Sequence, residues 1–454
     1  MKDKALLTDL YQLTMLAAYY DNDKDERATF DLFIRKLPKD WGYYLANGIE
    51  DAIDYIINFK FSASDIEYLR STGFFKEDFL GFLKDFKFKG DVYAVKEGTP
   101  VFPNQPVLRI SAKRTQAQFV ETALLNMVNY QTMIATKTNR VVNAAKKANN
   151  AKVVDYGLRR AQEEDAAMKG ARATYIGGAL GTSNVKAGKE YGIKIFGTQA
   201  HSFVMSFDSE LEAFGAYVKT FSEYPTLLID TYDTIQGAKN AAKVGKELEE
   251  KGKKLKAVRL DSGDLADLSK KVREILDQQG LTYVDIVASN DLNEYKIDEL
   301  GENDAKIGGY GVGTEMITAK PVAAIPGVYK LVEDNGGAKI KLSPEKKTYP
   351  GKKQVYRVTG EDEKYSHDVL ALDSEKLEGE PLLELAVKDG KRVRAKRSLD
   401  ETRDYALRCV DKLPEHLKQS EVKEHYEMKI SKGLNQLINE LTEKYGNNHG
   451  GKKK

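Results

Sequence analysis

The chain of 454 residues carries 71 Lys and Arg against 69 Asp and Glu, and this net charge of +2 gives no overall attraction to nucleic acid or an anionic membrane. Hydrophobic residues make up 41% of the sequence, enough to bury a large core, which excludes wholesale disorder. One cysteine, Cys409, excludes a disulfide framework, a cysteine-based zinc site and a CxxC redox pair. The N-terminal stretch does not fit a signal peptide because Asp9 interrupts it, and the uncharged run Thr122–Thr136 is too short to span a bilayer. At about 150 residues per domain, we expect three domains, or two if one is a barrel.

Residues 1–114 predict one part of a small α+β domain. The spacing of apolar residues predicts a helix within residues 1–20. Residues 28–37 alternate in part and predict a strand, whereas residues 44–88 predict short helices. Residues 90–112 hold short β-type runs broken by glycine and proline, which is typical of a β-rich unit.

Residues 115–330 predict an α/β domain that holds the active site. An apolar stripe over residues 115–149 predicts a long helix, and beyond it short apolar runs alternate with helix-like stretches. This order favours parallel βα units, and runs that are apolar on both faces are typical of a fully covered sheet. One of the helices has Asp264 as its predicted N-cap and Gly280 as its C-cap. The apolar runs are AKVVDYG, ARATYIGG, IKIFGTQAH, PTLLIDTYD, LKAVRLDSG, VDIVASND and AKIGGYGVGT.

Residues 331–454 predict the segment that completes the smaller domain. The stretches PVAAIPGVYKLVE and QVYRVTGED predict strands, and the basic segment KIKLSPEKKTYPGKK between them is expected to be a solvated loop. An amphipathic helix is predicted from about Ser420 to Tyr445. A basic tail follows it and is expected to fray.

Polar residues stand at the C-terminal end of each apolar run. In a barrel of parallel strands these ends converge on one face, where the active site is built. Asp, Ser, Asn and Gly also follow strands as turn residues and helix caps, whereas Arg159, His201 and Arg259 are not turn formers. A neutral imidazole is a competent nucleophile or base, which favours a catalytic role for His201. The other strand-end residues are Asp155, Tyr156, Thr182, Ser183, Asn184, Thr198, Asp230, Asp233, Asp261, Ser262, Ser289, Asn290, Gly308, Gly309, Gly311, Gly313 and Thr314.

Two stretches, IGGALGTSNVKAG and IGGYGVGTEM, are rich in glycine. Such loops let the main chain approach a phosphate closely, although glycines also serve tight turns. Neither stretch fits the P-loop pattern, and no dinucleotide fingerprint opens a helix at the right place. Phosphate binding would therefore be of the barrel type, in the loops after the last strands.

Seven motifs in chain order resemble those of nicotinate phosphoribosyltransferases: LLTDLYQLTM, DYGLRRAQ, GTSNVKAG, GTQAHSFVMSF, LIDTYDT, VRLDSGDL and YGVGTEM. The resemblance covers nearly the whole chain and implies a type II phosphoribosyltransferase, with an irregular (β/α) barrel and an open-faced α+β domain formed from both chain ends. It also implies a cytoplasmic homodimer with shared active sites. The implied reaction converts nicotinate and phosphoribosyl pyrophosphate into nicotinate mononucleotide and pyrophosphate in NAD biosynthesis. Such an enzyme is a glycosyltransferase of the ligase type, coupled to ATP hydrolysis.

The resemblance also implies roles for single residues. His201 matches the histidine that ATP phosphorylates, and Asp230 and Asp261 resemble acidic positions of the family's active site. The implied nicotinate contacts are Tyr156, Ser183, Thr198 and Arg259, together with Tyr11 of the other subunit. The implied phosphoribosyl contacts are Arg159, Gly309, Gly311 and Thr314, together with Arg35 and Lys320 of the other subunit.

These residue types suit the implied chemistry. Loss of pyrophosphate leaves an oxocarbenium-like ribose, so the site needs cations and Mg²⁺ on the leaving group and carboxylates near the sugar. The sequence does not assign the ligands of that metal. An arginine such as Arg259 can hold the carboxylate of the substrate by paired charged hydrogen bonds. Ser183 favours the acid over the amide, because related nicotinamide-using enzymes carry Asp there, which would repel a carboxylate.

Three alternatives stay open from the sequence. A nicotinamide phosphoribosyltransferase is disfavoured by Ser183 and by the full GTQAHS motif. An aldolase-like barrel would need a lysine at a strand end to form a Schiff base, and only Lys320 keeps that option open. A non-catalytic binding protein is hard to reconcile with the complete set of polar strand-end residues.

Overall fold

The computed structural model describes residues 4–223, 225–343 and 348–446. The predicted basic tail and part of the predicted basic loop, including Lys346 and Lys347, lie outside the described residues. The chain forms two compact units, which are described separately below. The first contains the residues up to Met133, Ala324–Leu417 and those from Val422 onward, and the second contains Ile134–Ala323 and Lys418–Glu421.

The secondary structure of the described residues alternates between helices and strands throughout the chain. The α-helices are α1 (Leu10–Asp21), α2 (Ile49–Asn58), α3 (Ala63–Ser71), α4 (Glu77–Lys84), α5 (Arg114–Phe119), α6 (Glu121–Asn149), α7 (Glu163–Ile176), α8 (Val185–Tyr191), α9 (His201–Met205), α10 (Glu210–Thr220), α11 (Thr234–Glu250), α12 (Leu265–Gln278), α13 (Glu294–Glu302), α14 (Thr314–Ile317), α15 (Leu399–Asp411) and α16 (Lys432–Gly446). The strands are β1 (Arg27–Ile34), β2 (Tyr44–Leu45), β3 (Asp91–Ala94), β4 (Pro100–Val101), β5 (Pro106–Lys113), β6 (Lys152–Asp155), β7 (Thr226–Leu228), β8 (Ala257–Leu260), β9 (Asp285–Ala288), β10 (Gly309–Val312), β11 (Gly327–Asp334), β12 (Gly337–Ala338), β13 (Lys353–Thr359), β14 (Tyr365–Leu372), β15 (Glu380–Pro381), β16 (Glu384–Lys388), β17 (Lys391–Arg392) and β18 (Glu427–Ile430). Within the described part of the chain, no helix combines the length and the apolar character needed to cross a bilayer.

The first unit is built on antiparallel strands from both ends of the chain. Its larger sheet has the order β12-β11-β1-β5-β3-β16-β17, with Phe30 of β1 opposite Ile110 of β5. Its second sheet has the order β15-β13-β14-β18, in which β18 joins β14 in parallel. Arg357 and Asp368 face each other inside this sheet with 2.7 Å between Nη2 and Oδ2, so their buried charges are paired. The predicted α+β unit from both chain ends is confirmed.

The second unit is built on a parallel sheet with the order β6-β10-β9-β8-β7. The sheet continues beyond β6 by single bridges, from Asp155 to Thr182 and from Thr182 to Ile195. Helices α11 and α12 bury their apolar faces against the strands, as the alternation of strands and helices predicts. The carboxylate of Asp264 accepts hydrogen bonds from the first turn of α12, which confirms the predicted N-cap. The C-cap is Gln279 rather than the predicted Gly280, which adopts φ +73° at the next position.

The helix predicted over residues 115–149 divides at Val120 into α5 and α6, and three other predicted elements also differ from the structure. The run ARATYIGG is not a strand but forms the end of α7, because its alanines and Arg172 have high helix propensity and outweigh its two β-branched residues. The run IKIFGTQAH contributes only the bridge at Ile195 rather than a full strand. The helix predicted from Ser420 begins at Lys432, since the preceding residues form β18.

Candidate active site

The parallel strands of the second unit end on one edge of the sheet, and polar residues follow them there. Asp155 is the last residue of β6, Asp261 follows β8 and Ser289 follows β9. Asp230 comes two residues after β7. The carboxyl ends of neighbouring parallel strands lie side by side, so these side chains meet at the same edge. Direct hydrogen bonds join Asp230 to Asp261 and Asp261 to Ser289, whereas the side chain of Asp155 bonds to Thr182 and Gly157.

His201 begins helix α9 and is held from two sides. Its Nδ1 lies 3.1 Å from Oγ1 of Thr231, and its Nε2 lies 3.7 Å from Oδ2 of Asp261. Its side chain is 40% exposed, so one face of the imidazole is open to a ligand. This geometry fixes the ring while leaving it accessible, which suits a nucleophile better than a core histidine.

The carboxylates of Asp230 and Asp261 have different hydrogen-bond environments. Oδ2 of Asp230 accepts from the backbone N–H of Asp261 at 2.8 Å and from Oγ of Ser262 at 2.7 Å. Oδ1 of Asp230 is buried and has no hydrogen-bond partner among the described residues. Oδ1 of Asp261 accepts from Oγ of Ser289, which leaves Oδ2 directed toward His201. Asp261, whose side chain is 36% exposed, is therefore the accessible carboxylate of the pair, whereas Oδ1 of Asp230 is buried and lacks a hydrogen-bond partner among the described residues.

Arg259 and Tyr156 form a second corner of the site. Nη2 of Arg259 donates to the backbone oxygen of Gln199 at 3.3 Å, and its Nε is buried without a partner within the described residues. The pKa of Tyr156 is raised, chiefly by burial and to a smaller extent by Asp261, while the guanidinium of Arg259 lowers it in part. Arg259 and Asp261 therefore both lie close enough to Tyr156 to affect its ionisation.

The ring of Tyr156 lies over Gly311 of β10. A Cβ atom placed on Gly311 would lie 2.3 Å from the ring, so any other residue here would force the ring to move. A Cβ atom on Gly309 would meet its nearest neighbour at 3.5 Å, an ordinary contact. Both glycines were predicted to bind the phosphoribosyl group. That role stays a prediction for both, and the structure adds that Gly311 makes room for the aromatic ring.

Ser183 lies next to Tyr156 across the bridge between β6 and Thr182. Its backbone N–H donates to the backbone oxygen of Asp155 at 2.8 Å, and its side chain is partly buried. Thr198 is also partly buried, and its Oγ1 donates to the backbone oxygen of Gln199 at 3.2 Å. The structure thus brings Ser183 beside Tyr156 and brings Thr198 beside the residue that contacts Arg259.

The remaining predicted residues make no hydrogen bond or ion pair to this cluster that the described residues show, and two of them lie in the first unit. Arg159 is exposed on the short 3₁₀ turn after β6, and Thr314 begins the short helix α14. Lys320 is exposed and pairs with Glu315 at 3.0 Å. In the first unit, Tyr11 on α1 is 47% exposed, and the guanidinium of Arg35 lies 5.7 Å from the ring centroid of Phe33. Their roles stay predictions.

Two residues of the site escaped the sequence reasoning. Thr231 contacts the imidazole of His201, and Gln199 has a buried side-chain amide with no partner within the described residues. Thr231 directly follows Asp230, and Gln199 directly follows Thr198, so proximity in sequence to predicted residues was the available signal.

Asp230 and Asp261 are the carboxylates of the site that a metal ion could contact. The described residues contain no group of three or more His, Cys, Asp or Glu side chains that could hold a metal ion. Mg²⁺ is usually bound by one or two carboxylates together with phosphate oxygens and water. Asp261, with 36% of its side chain exposed, fits that donor set, and Oδ1 of Asp230 has no hydrogen-bond partner among the described residues but is buried.

Comparison with known proteins identifies the same family in all three parts of the chain. The nicotinate phosphoribosyltransferase N-terminal domain matches residues 6–129, the nicotinate phosphoribosyltransferase family core matches residues 151–347, and the C-terminal domain matches residues 376–438. A nicotinate phosphoribosyltransferase of Mycobacterium tuberculosis is 43% identical over 92% of this chain and 89% of its own length. One of Bacillus subtilis is 44% identical over 84% and 79%. The crystal structure of human nicotinic acid phosphoribosyltransferase superposes with a TM-score of 0.84 at 28% identity, covering 96% of this chain and all of the human one, which confirms the predicted fold.

Proposed function

The chain belongs to the nicotinate phosphoribosyltransferase family of glycosyltransferases, which serve NAD biosynthesis, and on that basis we propose that it makes nicotinate mononucleotide with coupled ATP hydrolysis. The substrates would be nicotinate and phosphoribosyl pyrophosphate, and the second product would be pyrophosphate. The observation that carries this proposal is the cluster of His201, Asp261, Arg259 and Tyr156 at one edge of the parallel sheet.

The corner formed by Tyr156 and Arg259 suits the pyridine substrate. The aromatic ring of Tyr156 offers a flat surface for the pyridine, and the guanidinium of Arg259 offers paired donors for the carboxylate of nicotinate. The pyridine nitrogen would attack C1 of the ribose as the bond from C1 to pyrophosphate breaks. Charge develops on the sugar in that transition state, and the carboxylates of Asp230 and Asp261 would stabilise it.

The corner formed by His201 suits the coupling to ATP. A ring nitrogen of His201 would attack the γ-phosphorus of ATP, forming phosphohistidine and releasing ADP. The added phosphate brings about two negative charges and three acceptor oxygens to the site, which changes its affinity for the phosphoribosyl ligands. Hydrolysis of the phosphohistidine to inorganic phosphate would then restore the starting state.

Asp230 and Asp261 are the residues that would hold Mg²⁺ together with the oxygens of pyrophosphate. When bound, Mg²⁺ supplies positive charge that stabilises the leaving pyrophosphate. The two carboxylates would then orient the ion relative to the ribose, because the hydrogen bonds from Asp261, Ser262 and Ser289 fix them in place.

We further propose a homodimer in which Tyr11, Arg35 and Lys320 complete the site of the other copy. The half-exposed ring of Tyr11 is suited to covering the second face of the pyridine. A native mass twice that of the chain is the expected result, and a monomeric active enzyme would contradict this part of the proposal.

The central test is product analysis with nicotinate or nicotinamide, phosphoribosyl pyrophosphate and Mg²⁺, with and without ATP. We expect nicotinate mononucleotide and pyrophosphate, with a rate that ATP increases. His201→Ala should abolish the stimulation by ATP and the incorporation of γ-phosphate label. His367→Ala, in β14 of the first unit, is the matched control and should keep both. Unchanged stimulation in His201→Ala would refute the phosphohistidine.

Ser183 tests the choice between acid and amide. Ser183→Asp places a negative charge where the carboxylate of nicotinate is expected, and like charges in contact are strongly unfavourable. The ratio of nicotinate to nicotinamide turnover should fall by at least about tenfold. An unaltered ratio would contradict the assignment of Ser183 to the carboxylate of nicotinate.

A further inference from the structure

Asp155, the last residue of β6, is a buried acidic residue to which the proposed mechanism assigns no role. Its side chain is 1% exposed, so it is not positioned to contact nicotinate, ribose or phosphate directly. Burial of a carboxyl group is unfavourable unless its oxygens are hydrogen-bonded. The contacts that offset this burial therefore show what the residue is for.

The side chain of Asp155 binds the two segments that carry the proposed nicotinate contacts. Its Oδ2 accepts from Oγ1 of Thr182 at 2.7 Å, and its Oδ1 accepts from the backbone N–H of Gly157 at 2.8 Å. Thr182 directly precedes Ser183, and Gly157 directly follows Tyr156. The carboxyl group of Asp155 thus links Thr182, which precedes Ser183, to Gly157, which follows Tyr156.

The main chain around Asp155 strengthens this connection. Its N–H donates to the oxygen of Gly181 at 2.9 Å, and its oxygen accepts from the N–H of Ser183 at 2.8 Å. Oγ1 of Thr182 also accepts from the N–H of Asn184 at 3.0 Å, so the same hydroxyl orders the chain on the far side of Ser183. Ser183 is therefore fixed from both sides by bonds that begin at Asp155.

Tyr156 is held at the same point by β10. Its backbone N–H donates to the oxygen of Val312 at 2.8 Å, and its ring rests on Gly311. The carboxyl of Asp155 fixes the turn at Gly157, which sets the direction in which the chain leaves Tyr156. Displacements of about 1 Å in groups that orient a substrate cost about a hundredfold in rate, so this fixation has functional weight.

From this network we propose that Asp155 is a positioning residue that sets the selectivity for nicotinate by holding Tyr156 and Ser183 in register. The inference rests on the proposed function and adds to it a residue that does not touch the substrate. It distinguishes Asp155 from a purely structural residue, because loss of the network should weaken nicotinate binding and leave the phosphoribosyl end of the site unchanged.

The test compares Asp155→Asn, Thr182→Val and Thr182→Ser in steady-state kinetics of the full chain. Asp155→Asn turns one acceptor oxygen into a donor, and Thr182→Val removes the hydroxyl that joins Asp155 to Asn184. Both should raise the KM for nicotinate by about tenfold or more and lower the ratio of acid to amide turnover. The KM for phosphoribosyl pyrophosphate and the stimulation by ATP should stay within about twofold, because Asp155 contacts neither end of that ligand. Thr182→Ser keeps the hydroxyl and should restore the wild-type KM for nicotinate.

A second buried carboxylate separates positioning from general stability. Glu294 of the same unit is buried between Lys137 and Arg140, and Glu294→Gln should lower the melting temperature without changing the KM for nicotinate. The inference is overturned if Asp155→Asn and Thr182→Val lower the melting temperature but keep the wild-type KM for nicotinate. If Asp155→Asn does not fold, the pair Thr182→Val and Thr182→Ser decides the question. A wild-type chain that forms no nucleotide from nicotinate would instead refute the proposed function.

Discussion

Two ends of the parallel sheet present the same residue type, an aspartate at the end of a strand, in opposite states. At β6, Asp155 is buried and both of its oxygens accept hydrogen bonds from the protein. At β7 and β8, Asp230 keeps one buried oxygen without a partner among the described residues, and Asp261 is 36% exposed beside His201. The difference separates Asp155, whose carboxyl group only links protein segments, from Asp230 and Asp261, whose oxygens are not all bonded within the described protein.

This difference has a simple physical basis. A buried acceptor that lacks a partner is costly, so it persists where a ligand supplies the missing bond. A carboxyl whose oxygens are both satisfied rigidifies its surroundings and has little left to offer a substrate. We therefore expect substitutions at Asp261 to affect the chemical step and substitutions around β6 to affect the recognition of nicotinate.

The largest expected effect is at Asp261, whose carboxylate lies beside His201. Asp261→Asn removes the charge of this carboxylate, which is proposed to face the sugar and metal. We expect kcat for nucleotide formation to fall by about 100-fold or more, as is usual when a preorganised electrostatic group is lost. Asp277→Asn, on the exposed face of α12, is the matched control and should keep the wild-type kcat. A fall of less than about threefold in kcat for Asp261→Asn would contradict this prediction, since it would show that Asp261, like Asp155, has only a structural role.

The next effect is at Arg259, which lies in β8 two residues before Asp261. Arg259→Lys keeps the charge but loses the planar fork that pairs with a carboxylate. The KM for nicotinate should rise by about 10- to 100-fold, since charge-assisted paired bonds are worth about 1.5–3 kcal/mol. The KM for nicotinamide, which has no carboxylate, should change much less. An equal rise in KM for nicotinate and nicotinamide would show that Arg259 does not bind the carboxylate.

A smaller effect is expected at Gly311, and Gly309 provides its control. Gly311→Ala places a methyl group 2.3 Å from the ring of Tyr156, so the ring must move away from the position it holds beside Arg259. We expect the KM for nicotinate to rise by about tenfold, the size of effect that follows from misplacing a group that orients substrate. Gly309→Ala has 3.5 Å to its nearest neighbour and should be nearly silent. If Gly309→Ala instead raised the KM for phosphoribosyl pyrophosphate, the role predicted from the sequence would hold for that glycine.

The sequence predicted the edge of the sheet but not the state of the residues on it. Apolar runs ending in Asp or Arg located β6, β7 and β8, because strands inside a covered sheet have a distinct pattern. The pattern could not separate Asp155 from Asp230, because the number of hydrogen bonds each accepts depends on segments distant in sequence. It could not assign Gly311 either, since contact with the ring of Tyr156 arises only when β6 and β10 pair. Helix propensity within ARATYIGG was present in the sequence but was outweighed by its strand-like length.

The smallest expected effect is a pH dependence of the free energy of unfolding that arises from Asp155. Burial raises the pKa of Asp155 above its usual value of 3.8, and the hydrogen bonds from Thr182 and Gly157 offset this only in part. The native state therefore holds the proton more tightly than the unfolded chain, and the resulting stabilisation is complete below the unfolded pKa. It is lost as the pH rises through the raised native pKa, with a slope of at most about 1.4 kcal/mol per pH unit.

Asp155→Asn removes this titration and provides the measurement. The free energy of unfolding of the wild-type chain minus that of Asp155→Asn should decrease as the pH rises above about 4, and it should become constant once the native pKa is passed. Chemical denaturation followed by circular dichroism at several pH values would measure the difference. A difference that increases with pH would mean that the native carboxyl is more acidic than in the unfolded chain. The hydrogen bonds from Thr182 and Gly157 would then outweigh the burial of Asp155.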